Sequence, residues 1–239
     1  MSGLRTYLAR GKKAALKTWF QSLDALLDGD RYVRYTYVQN GYHTPDYRFA
    51  QNEIMFVHLP KTGGTSFASV FQQHPEQRFV NLNIHKPVSQ WCSPAQFRYV
   101  TVMRHPVDRV WSYYQMVLRN PEGYPYRDVA VQGLETFLKK CWAARNMQVR
   151  YISGKVAIEP NEATLRLASS NLQKFYAVLD FGNIGQEIAN LAQQHGLTVE
   201  QVPNERKSSY AGPSAQERKL IQTYNQLDLA LYRAWQSSR

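Results

Sequence analysis

Along this chain, short apolar runs closed by turn-formers alternate with segments whose apolar positions recur every three or four residues. Ile54–Val57 is apolar throughout and meets Pro60, the pattern of a buried strand over 54–59. Tyr99–Met103 and Tyr176–Phe181 read the same way, with further strands expected near 79–83 and 198–202. Behind Pro106, which suits a first helical turn, Val107, Val110, Trp111, Tyr114 and Leu118 recur at helical spacing and predict a helix over 106–119. Other helices are expected at 65–73, near 133–142, 143–152 and 161–170, over 183–195, and through most of 215–237. Strands alternating with helices argue an α/β fold, a central parallel sheet with helices on both faces.

The N-terminal part has a different texture. Over residues 4–27, Leu8, Leu16, Trp19, Phe20, Leu23, Leu26 and Leu27 give one apolar face, interrupted near Gly11, with basic residues in the first half. This predicts an amphipathic helix. Packing on its own domain or on a partner subunit is favoured over contact with a membrane surface. Tyr32, Tyr35, Tyr37, Tyr42 and Tyr47 follow in a turn-rich stretch over 28–50. They could cover a sheet edge, the favoured reading, or line a groove for a sugar.

At 239 residues the chain suits one α/β domain over 51–239 with an appendage over 1–50. A net charge of +11 raises nucleic acid as a partner. No helix-turn-helix, RRM or zinc-finger spacing accompanies the charge, and the basic residues are spread out, so nucleic acid is not expected. A polyanionic ligand fits better, since a basic cleft concentrates it. The two cysteines, Cys92 and Cys141, make no disulfide framework and are expected as reduced thiols. No cysteine–histidine cluster suggests a metal. No run reaches transmembrane length and no secretory signal is visible, which makes a cytoplasmic location the expectation.

Chemistry enters at the first strand's end, where Ile54–Ser69 reads IMFVHLPKTGGTSFAS. Gly63 and Gly64 permit a tight turn and close backbone approach. Thr65 and Ser66 are expected to cap the helix that follows. A glycine turn feeding a helix N-terminus offers backbone N–H groups and the positive end of a dipole, a cradle for phosphate, and Lys61 adds a mobile cation. The Walker A order places its lysine after the glycines; here it precedes them. An ordinary strand–turn–helix with a solvated lysine is the alternative for this segment alone.

A second junction of the same kind follows. Arg98–Asn120 reads RYVTVMRHPVDRVWSYYQMVLRN, with Arg104 at a strand's carboxyl end and Ser112 about two helical turns on. Ligands of open α/β sheets bind outside the carboxyl ends of strands, where Lys61 and Arg104 both fall. The guanidinium fork suits phosphate. The bland alternatives are an ion pair of Arg104 with Asp108 and a solvated position for Ser112.

In this order the two segments resemble the 5′-phosphosulfate loop and the 3′-phosphate motif of sulfotransferases that use 3′-phosphoadenosine 5′-phosphosulfate (PAPS). PKTGGTS is most similar to the carbohydrate enzymes, including heparan sulfate 2-O- and 6-O-sulfotransferases. RNMQVRYISG over 145–154, Asn204–Ser208 and Leu227–Tyr232 extend the resemblance, which spans roughly Ile54 to Trp235. It implies a P-loop-like sheet. It also implies that Lys61, Thr62, Gly63, Gly64, Thr65 and Ser66 hold the 5′-phosphosulfate, and that Arg104 and Ser112 hold the 3′-phosphate. Asn204, Arg206 and Lys207 would close over the nucleotide. Golgi members of the family carry an N-terminal membrane anchor, and no run of that length is visible in these residues, so a soluble bacterial enzyme is expected.

Sulfuryl transfer needs the acceptor hydroxyl aligned with sulfur, the leaving oxygen's charge neutralised and a proton removed. Lys61 is the candidate for the leaving oxygen. For the base there are six histidines, His43, His58, His74, His85, His105 and His195. His58 reads as a core or supporting residue, His105 as turned away, and His74 and His195 as helix ends. His85 follows the second strand and matches a histidine that serves as base between the two phosphate motifs of 2-O-sulfotransferase-like enzymes. His43 and Glu53 stay open as alternatives. Arg145, Arg150 and Lys86 could meet an anionic acceptor, though a solvated or ion-paired face is favoured for each. The leading expectation is therefore an O-sulfotransferase acting on a carbohydrate or glycolipid-type hydroxyl, without metal. A non-catalytic nucleotide- or anionic-glycan-binding protein on the same fold is the alternative, and a P-loop kinase a more distant one. The acceptor's identity and the oligomeric state are not written in the residues.

Overall fold

A computed structural model gives the fold, describing residues 54–74, 79, 80, 85, 87, 88, 94, 95, 97–120, 126–156, 158–199, 202 and 210–239. The expected N-terminal helix and tyrosine-rich stretch lie outside the described residues. So do His43, Glu53, Lys86, Cys92, Asn204, Arg206 and Lys207.

Among the described residues four parallel strands form the sheet: β1 (Ile54–Val57), β2 (Phe79–Val80), β3 (Arg98–Met103) and β4 (Ala177–Asp180), in the order β2-β1-β3-β4. Val57 pairs with Thr101, and Met103 with Asp180. The register brings the carboxyl ends of β1, β3 and β4 to one edge of the sheet, where ligands of such sheets bind. The Thr101 hydroxyl donates to the Val57 carbonyl at 2.9 Å, fixing the two strands at this end.

Helices flank the sheet. Helix α1 (Gly64–Phe71) follows β1, and α2 (Pro106–Arg119) follows β3 with the bounds its apolar spacing predicts. Then come α3 (Arg127–Ala130), α4 (Leu134–Lys140), α5 (Met147–Ser153) and α6 (Glu162–Leu172) before β4, and α7 (Ile184–Gln194) after it. Ile54, Phe56, Val100, Val102 and Leu179 on one sheet face meet Phe67, Val70 and Phe71 of α1 and Ile188, Leu191 and Ala192 of α7 in one buried cluster. Phe56 stacks on Phe67 at 4.1 Å between ring centroids. Each of these side chains larger than alanine stabilises the fold by about 1.5–3 kcal/mol through burial. Met55, Val57, Tyr99 and Met103 on the other face are buried too. None of the described helices is long and apolar enough to cross a membrane.

Two expectations need correction. No strand forms at 197–199 or at 202. Leu197, Val199 and Val202 instead pack against the α1–α7 core, so their apolar character serves to cover it rather than to extend the sheet. The helix expected through 215–237 is two helices, α8 (Ala215–Tyr224) and α9 (Gln226–Ser237), parted at buried Asn225.

The starts of α5 and α9 cap one another. The Asn146 side-chain oxygen accepts from the N–H groups of Leu227 (3.2 Å) and Asp228 (3.1 Å). In return the Asp228 carboxylate accepts from Gln148 N–H (3.1 Å) and Val149 N–H (2.8 Å). Asn225 accepts from the Asn146 N–H at 2.8 Å. Donors that a helix start leaves open are thus satisfied across the junction. Burial raises the Asp228 pKa, opposed by the nearby Arg109 guanidinium and by these N–H bonds.

Candidate functional site

Beyond Val57 the chain turns sharply. Leu59 N–H donates to the Val57 carbonyl at 3.0 Å, and the Thr62 hydroxyl to the Leu59 carbonyl at 2.9 Å. Lys61 and Gly63 both take left-handed backbone, with φ of 68° and 84°. For Lys61, a residue with a Cβ, this conformation costs about 1–2 kcal/mol. Gly63 is the N-cap of α1 and has no side chain to cap it. The expected capping by Thr65 and Ser66 is therefore corrected: they lie one and two residues inside the helix, and its N-terminal end carries no side-chain cap. The first intrahelical bond runs from Phe67 N–H to the Gly63 carbonyl at 3.2 Å. The N–H groups of Gly64, Thr65 and Ser66 precede it, at the positive end of the helix dipole. The Thr62 hydroxyl proton is committed to the turn.

Gly64 is required by its neighbour. A Cβ there would lie 2.0 Å from Nε2 of His58. His58 is buried beneath the loop, and its ring also meets Phe56 and His85 at centroid distances of 5.3 and 4.3 Å.

Arg104 joins this loop to the second strand. Its Nη1 donates to the Lys61 carbonyl at 2.8 Å, across 43 residues of sequence. Its backbone N–H donates to Gln148 Oε1 at 3.1 Å, and its guanidinium stacks on the Phe181 ring at 4.0 Å. Among the described residues Arg104 Nε is buried without a hydrogen-bond partner. The alternative pairing with Asp108 is not made: that carboxylate instead approaches His105 at 3.9 Å and Arg218 at 4.0 Å. Burial lowers the Arg104 pKa, opposed chiefly by Tyr210 and then by Asp108.

Lys61 Nζ reaches the Met116 sulfur of α2 at 3.6 Å. His85 Nδ1 lies 3.0 Å from the His58 carbonyl. A carbonyl only accepts, so Nδ1 carries the proton and Nε2 is the acceptor nitrogen of the neutral ring. One edge of His85 reaches solvent, yet the atoms packed around the rest lower its pKa by desolvation. The His58 bond opposes that shift, and the Lys61 charge adds to it. Neutral His85 can thus accept a proton beside Lys61.

Lys61, Thr62, Gly63, Gly64, Arg104 and His85 therefore gather at one sheet edge, with Thr65 and Ser66 in the adjoining first turn. Ser112 is buried on α2. Arg150 is buried and donates to the Val156 and Ile158 carbonyls and to Glu159, which Arg145 also approaches at 3.8 Å. Of the favoured reading, a solvated or ion-paired face, the ion pair with Glu159 is present, although Arg150 is buried. Burial pushes the Cys141 thiol up to about 12, leaving no ready thiolate nucleophile there.

Three participants are not visible in sequence as site residues. Phe181 extends the pattern of β4, but the Asp180 carboxylate accepts from Gly182 N–H at 2.9 Å and starts a turn there. That turn brings the Phe181 ring within 3.3 Å of where a Gly63 Cβ would stand. Gln148 is fully buried in α5, 44 residues from the Arg104 N–H it accepts from. Tyr210 owes its place to α2: the Arg119 guanidinium lies 4.8 Å over its ring, and Trp111 Nε1–H holds the next carbonyl, that of Ala211, at 2.8 Å. The Asp180–Phe181–Gly182 turn was the one available signal.

No protein-family model matches this chain, and neither does any curated protein.

Proposed function

We propose that the chain is a PAPS-dependent sulfotransferase that transfers the sulfuryl group to a hydroxyl of a carbohydrate or glycolipid-type acceptor. The observation that carries this reading is the bond from Arg104 Nη1 to the Lys61 carbonyl. Two separately recognised phosphate-type segments meet at one sheet edge through it. An open α1 N-terminus beside a lysine suits a 5′-phosphosulfate, and a guanidinium with a buried unpartnered Nε suits a second phosphate.

The reaction follows from the charges. The acceptor oxygen attacks sulfur in line with the bridging oxygen to the 5′-phosphate. As the new S–O bond forms and the old one breaks, the electron pair leaves with that oxygen as adenosine 3′,5′-bisphosphate. Lys61 neutralises the departing charge, and the α1 N–H groups hold the phosphate. His85 Nε2 takes the acceptor proton. Arg104 fixes the far end of the donor, with Ser112, Asn204, Arg206 and Lys207 proposed alongside it.

The test is calorimetric titration with adenosine 3′,5′-bisphosphate and with AMP. Tight binding that needs the 3′-phosphate is expected. Equal affinity for the two, or no binding, would remove the donor site and favour the non-catalytic alternative.

A further inference from the structure

Lys61, the candidate for the leaving oxygen, has a soft partner. Its Nζ donates to the Met116 sulfur at 3.6 Å. Both residues are held from behind. The Lys61 carbonyl accepts from Arg104 Nη1 at 2.8 Å. The Met116 carbonyl, at the end of α2, accepts from the main-chain N–H of Asn120 at 3.2 Å and from its side-chain amide at 2.8 Å. A thioether is a weak acceptor, so the ammonium can leave it at little cost. The same sulfur can take up oxygen and become a polar sulfoxide, provided an oxidant reaches it. Of the described methionines, Met55, Met103 and Met147 are 1%, 0% and 1% exposed, whereas Met116 is partly exposed. The accessible sulfur is thus the one against Lys61. The buried Cys141 thiol, pushed up to about 12, offers peroxide no thiolate.

We infer that Met116 is a site of oxidative modification by hydrogen peroxide, and that its sulfoxide restrains Lys61 and slows sulfuryl transfer. A sulfur lone pair attacks one peroxide oxygen. The S–O bond forms as the O–O bond breaks, and the departing hydroxide takes the proton of the transferred hydroxyl and leaves as water. Sulfur is oxidised by two electrons and the peroxide is reduced. The new oxygen stands within hydrogen-bonding reach of Nζ and accepts far more strongly than the thioether did. That bond must break before the ammonium can meet the leaving oxygen. The effect on turnover rests on the sulfotransferase reading above; the selectivity of the modification does not.

The full chain is treated with hydrogen peroxide, the oxidised methionines are located by peptide mass spectrometry, and sulfuryl transfer is followed in parallel. Met116 should gain oxygen before Met55, Met103 and Met147. Turnover should fall about tenfold or more as it does so, the size of one hydrogen bond to a charged group. Methionine sulfoxide reductases with dithiothreitol should restore it. Under the same peroxide, Met116→Leu should hold its own starting turnover. Met116→Gln, whose amide carbonyl imitates the sulfoxide, should be slower than Met116→Leu before any peroxide is added. Earlier oxidation of a buried methionine overturns the inference. So does full turnover with Met116 oxidised, an equal loss in Met116→Leu, or recovery with dithiothreitol alone, which would point to a cysteine. Untreated wild type without sulfuryl transfer overturns the donor reading, and this inference with it.

Discussion

Two helix starts in this molecule handle the same physical problem in opposite ways. At the α5–α9 junction, Asn146, Asn225 and Asp228 satisfy the open N–H groups from within, and Asn225 and Asp228 are fully buried. At α1, a left-handed Gly63 leaves the first turn without any side-chain cap, behind a strained Lys61. An uncapped start alone means little, since α7 has one as well. What sets α1 apart is the company: a lysine, a histidine that can accept a proton and a guanidinium tied to the loop. The junction spends its hydrogen-bonding capacity on the fold. The loop holds its capacity open and is stabilised indirectly, by Arg104 on the Lys61 carbonyl and His58 under Gly64. Substitutions should sort accordingly, rates and affinities responding at the loop and stability at the junction.

The largest effect expected is at the loop. Lys61→Ala should lower turnover about 10²–10³-fold, the cost of losing one group aimed at developing charge. Alanine keeps the Cβ, so the left-handed backbone at position 61 costs the same in the variant and the fold should persist. Steady-state assay of sulfuryl transfer alongside a thermal melt separates the two. Wild-type turnover would take Lys61 out of the chemistry, and a collapsed melt would make it structural, breaking the contrast.

Asp228→Ala should do the reverse. It uncaps α5 and leaves the buried Arg109 charge without the carboxylate that most favours it, at a cost of about 3–5 kcal/mol. Chemical denaturation reads this directly. Nucleotide affinity per folded molecule should change less, although Gln148 links the junction to Arg104. A variant as stable as wild type would mean that the reciprocal caps contribute little.

Gly64→Ala sharpens the comparison at a single contact. A Cβ placed 2.0 Å from His58 Nε2 forces the ring or the loop to move. The expected destabilisation is about 1–3 kcal/mol, as for other overpacked sites. In a His58→Ala background the same substitution should cost clearly less. Denaturation of all four proteins gives the coupling. Equal costs in both backgrounds would show that the loop, not the ring, sets the limit on Gly64.

These contacts also mark where sequence reasoning stops. Strands β1, β3 and β4 and helix α2 were legible because apolar spacing reports which faces are buried, and that is a local property. Lys61, Gly63, Gly64 and Arg104 were legible as a phosphate-type pattern because each sits at a strand-to-helix turn. The bond between Arg104 and the Lys61 carbonyl was not legible, since it depends on β1 and β3 being neighbours in register. Phe181 was hidden for the same reason: its place over Gly63 needs β4 beside β3. Asn146 and Asp228 stand 82 residues apart, and nothing in the spacing of either helix announces that each caps the other. Val199 and Val202 misled because burial under a helix and burial in a sheet leave the same apolar trace.

The smallest expected effect is in pH dependence, and it concerns His85. Burial holds its pKa below the ordinary 6.5, with the Lys61 charge acting in the same direction and the His58 carbonyl bond opposing both. As a base it must be neutral, and a depressed pKa keeps it neutral further into acid. Turnover should therefore stay level as pH falls through 6.5 and drop about tenfold per unit only below the depressed value. Stability carries the same sign. Between the folded and unfolded values the unfolded chain holds more protons at this site. The folded state's advantage is therefore present above 6.5 and declines as pH falls towards the folded value. His85→Ala should remove both features, the acid limb of the pH–rate profile and that part of the acid destabilisation. An acid limb centred above 6.5, or one that survives in His85→Ala, would move the proton to another group. It would leave the open helix start of α1 as a binding site whose base lies elsewhere.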